Sequence, residues 1–189
     1  MARKKEVEGL VIIHLSSLDS YTDMEREATG SDDTSFELAF NISNVIKKFN
    51  GPIFIGDQEW LFIGRESRPR ARLMDEIEEV YKKGPREWDP RITWIQFDEQ
   101  DEEDRGWDKF LMKLDKWLKK NKITRVALAG LFFEQDLSEG CVTHVYKFLK
   151  KRVQVKVLLE AVGCVSWIDA LWEGPKGQLP GGYTHGNQK

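Results

Sequence analysis

The stretch Gly140-Cys141-Val142-Thr143-His144 is where chemistry is most readily written from residue types and spacing. A thiol at the start of a helix sits among unpaired amides and at the positive end of the helix dipole. Both lower a thiol pKa, and the amides can hold a developing oxyanion. His144 follows one helical turn later and is placed to act as a base or as an ion-pair partner. Glu134, Asp136 and Glu139 precede the thiol and work against a thiolate. Cys141, Val145 and Phe148 share a helix face, so the thiol reads equally well as a packing residue. The candidate catalytic residues are Cys141, His144 and His14.

His14 ends the apolar run "GLVIIH" and is followed by Ser16 and Ser17, a polar cluster suited to binding a ligand or to a satisfied core wall. Asp57, Asp98, Glu134 and Glu160 each end or follow an apolar run of strand type. Carboxylates gathered at strand ends can hold Mg²⁺ and support phosphoester hydrolysis, although acids are also ordinary in connecting loops. The ligand-binding candidates are Ser16, Asp57, Glu134 and Glu160. No residue is assigned to a metal and no cofactor is expected; Mg²⁺ belongs to the alternative reading, a metal-dependent phosphoesterase or nuclease.

Several classes are disfavoured. No glycine-rich phosphate loop or dinucleotide spacing is present. Two cysteines and three histidines offer neither a disulfide framework nor zinc-ligand spacing. A net charge of −3 gives no electrostatic case for nucleic acid, although a local basic patch is compatible with it. The early apolar run, about five residues, is too short for a membrane span or a signal-peptide core. That run reads as a first strand and the protein as cytoplasmic, and with 32% charged and 40% apolar residues the chain reads as soluble and globular.

The elements that must position these residues follow from periodicity. Apolar runs at 9–17, 52–57, 92–97, 125–133 and 154–163 read as strands, and period-3.6 patterns at 34–51, 71–84, 107–121 and 141–152 read as helices. Thr34 and Glu37 fit a capping box, and Ser138 fits the N-cap of the Cys141 helix. Residues 18–34 are polar without an apolar period and read as a long loop. Alternating strands and helices predict an α/β, Rossmann-like three-layer sandwich: a mainly parallel sheet of about five or six strands with helices on both faces. Ligands of such folds bind beyond the carboxyl ends of the strands, where the candidate residues lie.

The segments "ITRVALAGL", "GCVTHVYKFLKK" and "RVQVKVLLEAVG" together resemble the isochorismatase-like cysteine hydrolases. Gly130-Leu131, Cys141-Val142 and Glu160-Ala161 stand in that family's order. "NGPIFIGDQEW" is similar to its second strand and "GWDKFLMKLDKWLKKNKITRV" to its long helix. The likeness spans about residues 9–163. It implies the same fold and a Cys141 nucleophile acting on amides or esters. The family also uses an Asp at the end of the first strand and a Lys from mid-chain. His14 stands where the Asp is expected, and no Lys lies near Gln96 or Phe97. The resemblance therefore implies a diverged domain, either a weak hydrolase or a ligand-binding or assembly module.

One domain is expected over residues 1–173, with a flexible Gly/Pro-rich tail over 174–189. Seven Trp, more than such a core needs, predict a homo-oligomer through Trp60–Phe62 or Trp167–Trp172. The remaining expected partner is a small-molecule ligand; no membrane is expected, and nucleic acid is disfavoured.

Overall fold

The computed structural model describes residues 6–58, 68–84, 87–97, 105–133 and 140–163. The strands are β1 (Glu8–Ile13), β2 (Ile53–Gln58), the short pair β3 (Lys82–Gly84) and β4 (Glu87–Trp88), β5 (Ile92–Phe97), β6 (Arg125–Leu131) and β7 (Gln154–Gly163). The helices are α1 (Leu18–Thr29), α2 (Asp33–Lys48), α3 (Arg68–Tyr81), α4 (Arg105–Lys120) and α5 (Cys141–Leu149). Five strands form one sheet in the order β5-β2-β1-β6-β7, every neighbouring pair parallel. β3 and β4 form a separate antiparallel ribbon.

This is the expected α/β arrangement with helices on both faces. β1 alternates strictly. Leu10 and Ile12 face the cluster completed by α1, α2 and α3, while Val11 and Ile13 face the one completed by α4 and α5. Both faces are apolar because both are covered. No described helix is long and apolar enough to cross a membrane.

The loop expected over 18–34 is instead α1, closed by Gly30 at φ 73°. Its buried stripe runs through Leu18, Tyr21, Thr22 and Glu25. Half of those positions are polar, so the hydrophobic period is hidden. Thr22 donates to the Leu18 carbonyl (2.7 Å). Glu25, 1% exposed, accepts from the Thr34 and Ser35 amides (2.7 and 2.8 Å) and from the Ser35 hydroxyl (2.6 Å). Glu25 thus caps α2 from outside the helix, where a carboxylate also meets the positive dipole end. The Thr34–Glu37 box is not the cap: α2 begins at Asp33, with Asp32 in the N-cap position and no side-chain cap bond. The expected helix over 71–84 ends at Tyr81, because Lys82–Gly84 pair with β4 instead.

Trp60–Phe62, Asp98, Glu134, Ser138, Trp167–Trp172 and the tail from 174 lie outside the described residues, as does the side chain of Ser16.

Candidate functional site

The chain leaves β1 toward β2 and β5 on one side, then returns to place β6 against β1 on the other. The β1–β6 junction is therefore the topological switch point, where open parallel sheets bind their ligands. Its backbone is unusual. Each strand is followed closely by a non-glycine residue in the left-handed region, His14 (φ 61°) and Phe132 (φ 63°). Between them Gly130 has φ 127°, and a Cβ there would collide with the carbonyl of Ile13, its register partner. Only glycine lets the two strands approach this closely.

The left-handed turn decides where the His14 ring goes. Strict alternation would send residue 14 toward α1–α3. Instead its imidazole stacks on Trp107 of α4, ring centroids 6.0 Å apart and planes 21° from parallel. The turn is held by the His14 amide donating to the Gly56 carbonyl (2.7 Å) and the Ser17 amide donating to the His14 carbonyl (3.1 Å). Ser17 Oγ lies 3.3 Å from His14 Nδ1, within hydrogen-bonding distance. His14 is 1% exposed, and burial pushes its pKa down to about 4. It is an uncharged imidazole at neutral pH.

Trp107 faces a second imidazole. His144 of α5 lies 4.9 Å from the indole, inclined at 54°. Phe110, one turn along α4, meets the indole edge-on at 5.6 Å. His144 is exposed, yet its pKa is lowered, first by partial burial and then by the charge of Lys147, with Asp108 opposing. Two neutral imidazoles therefore flank one indole at the switch point. A neutral imidazole offers one donor and one acceptor, so the array presents polar edges around an aromatic face.

Cys141 is the first residue of α5, with Gly140 rather than Ser138 in the N-cap position, at φ 100° and ψ 141°. The Val142 amide donates to the Phe132 carbonyl (3.2 Å), which fastens the start of α5 to the end of β6. The Cys141 side chain is half-buried and packs against the α4–α5 apolar cluster. His144 is one turn away on the same helix.

The remaining candidates lie elsewhere. Asp57, 5% exposed, follows Gly56 in β2; alternation from Ile53 and Ile55 assigns it to the α1–α3 face. Glu160 is exposed on an irregular stretch of β7, where Leu128 and Gly130 of β6 register with Val157 and Val162. It lines a shallow groove with Thr34, Glu37 and Asn41, on the face opposite Cys141. Among the described residues no group of three His, Cys, Asp or Glu side chains could hold a metal ion. Trp107 was legible only as an apolar helix position; nothing in its spacing marks it as the residue between two histidines.

No family model and no curated protein matches this chain. Among solved structures, the MAR1 ribonuclease from Caenorhabditis elegans aligns over 86% of this chain and 68% of its own, with 15% identity and a TM-score of 0.37. A likeness of that size assigns neither a family nor an activity to this chain.

Proposed function

We propose that the chain is a diverged isochorismatase-like domain that binds a small polar molecule at the carboxyl ends of β1 and β6, with hydrolysis weak or lost. The observation that carries this reading is the His14–Trp107–His144 array at the switch point. A thiol hydrolase needs a charged or basic partner to activate its nucleophile. Where the resembling family has an Asp, this chain has an imidazole whose pKa burial pushes down to about 4, which makes it a weak base. The packing of Cys141 into the apolar cluster supports a structural thiol. Trp107 covers His14, so ligand entry displaces the indole and changes its fluorescence. Self-association through the aromatic segments is part of the same reading, checked by light scattering.

The test pairs calorimetry with a turnover assay on a panel of small amides and esters. Saturable binding without turnover, weakened tenfold or more in His14→Asn (~1.4 kcal/mol), supports the proposal. Rapid iodoacetamide alkylation of Cys141 below about pH 7, together with turnover abolished in Cys141→Ser, overturns it in favour of an active hydrolase. Turnover of a phosphodiester that requires added Mg²⁺ overturns it in favour of the carboxylate reading.

A further inference from the structure

The chain carries a net charge of −3, but the fold separates its charges. α4 bears six Lys or Arg and two Asp, and α5 with the three residues after it bears four Lys or Arg and no acid. The two helices lie side by side and run the same way. Trp107 meets His144 near their starts, and eight residues on Asp115 meets Arg152 (3.2 Å). Their buried stripes, through Phe110, Leu114 and Trp117 on α4 and Val142, Val145 and Leu149 on α5, turn the lysines to solvent.

Lys109, Lys113, Lys116 and Lys120 fall at i, i+4, i+7 and i+11, one stripe on the outer side of α4, and all four are exposed. Lys150 and Lys151 extend the charge past the end of α5 and are exposed as well. Among the described residues, no carboxylate pairs with Lys113, Lys116, Lys120 or Lys151; Asp115 is taken up by Lys119 and Arg152. Aromatic side chains lie among the cations: Arg152 stands 3.6 Å over the Phe148 ring and Lys150 5.4 Å from Tyr146.

We propose that the outer face of α4 and α5 binds the phosphate backbone of nucleic acid without reading sequence. At 1.5 Å per residue the α4 stripe is about 16 Å long. At 3.4 Å per phosphate of one duplex strand it matches about five phosphates. A membrane surface is a poorer fit, because an interfacial helix inserts an apolar face. Met112 is the one exposed large apolar side chain described on α4 or α5. This surface lies outside the His14–Trp107–His144 array, and either can fail without the other.

The experiment is fluorescence anisotropy of the full chain with labelled single-stranded RNA and duplex DNA of about 20 nucleotides or base pairs, between about 50 and 200 mM salt. Binding is expected, with log affinity falling against log salt at a slope of about −3 to −4. The triple variant Lys113→Glu/Lys116→Glu/Lys120→Glu should bind at least tenfold more weakly with a flatter slope. Lys48→Glu, on the opposite face, should bind as wild type does. Circular dichroism checks the fold, and Lys116→Glu alone should give a partial loss if the triple variant does not fold. No binding at the lowest salt, or equal binding by the Lys116→Glu variant, overturns the proposal. So does co-sedimentation with anionic phosphatidylserine vesicles without nucleic-acid binding.

Discussion

Glu25, Asp19 and Glu76 on one side of the sheet and the α4 lysines on the other are all charged, yet they are used in opposite ways. Glu25 accepts three hydrogen bonds at the start of α2. Asp19 is joined to Arg70 (2.8 Å), side chains 9% and 13% exposed, which ties the first turn of α1 to that of α3. Glu76 is bonded by Ser43, Lys47 and Arg72 between α2 and α3; the Ser43 hydroxyl above all, then the two cations, hold its carboxyl below the usual range. On that face charge holds helices to each other. On the α4–α5 face, the Asp115–Arg152 pair aside, apolar and aromatic packing does that work, and Lys113, Lys116 and Lys120 remain turned to solvent. Charges already paired inside a fold have little left for a partner, whereas unpaired exposed ones cost little stability and stay available.

Removing what both faces share should have the largest effect. Gly130→Ala puts a Cβ against the Ile13 backbone at an unfavourable φ, and a loss of more than about 4 kcal/mol is expected in urea unfolding. Next comes the α1–α3 face. Asp19→Ala removes the carboxylate that Arg70 bonds in a largely buried site and should cost about 3 kcal/mol. If the melting temperature scarcely moves, the pair is not what holds α1 to α3.

The α4–α5 side has one buried titrating group described, His14, and its effect is a pH dependence. Its folded pKa, about 4, lies below the unfolded value of 6.5, so the unfolded chain takes up the proton first. Its contribution is complete above the unfolded value and is lost as pH falls through the folded one, about 3 kcal/mol by pH 4. The lowered pKa of His144 acts in the same direction. His14→Asn tolerates the left-handed backbone and does not titrate, so stability measured from neutrality downward should fall less steeply than in wild type. An unchanged slope would show that His14 is not the titrating group.

Glu25→Gln leaves one acceptor oxygen for the donors at the start of α2 and removes the charge from the dipole end; the expected cost is about 1 to 2 kcal/mol. Smallest of all, Lys113→Glu and Lys116→Glu should each change stability by no more than about 0.5 kcal/mol. Charge reversals that cost as much on α4 as the loss of Glu25 costs on α2 would erase the contrast between the faces.

Apolar runs without a polar side, separated by period-3.6 segments, were enough to recognise a covered parallel sheet, and the five strands of that sheet lie where those runs lie. α1 escaped notice because its buried stripe includes Thr22 and Glu25, polar groups whose hydrogen bonds are made across a turn or to another helix. Of the candidate site, His14 at a strand end and Cys141 at a helix start were legible from their neighbours. Trp107 was not, since an aromatic on the apolar face of a helix reads the same whether it meets a leucine or two histidines.

What the sequence determined by itself is what local pattern encodes: which segments form the strands of the sheet and most of the helices, that the sheet is buried on both sides, and which polar residues fall at the carboxyl ends of strands. The tertiary structure alone decided which of those residues meet. A left-handed turn at His14, held by the hydrogen bond from its amide to the Gly56 carbonyl, moves one ring from one face of the sheet to the other. The same holds for charge. Net charge is a sum along the chain, but a partner meets its distribution in space: helical spacing lines up the α4 lysines, and only the parallel packing of α4 beside α5 sets the cations at the end of α5 next to them.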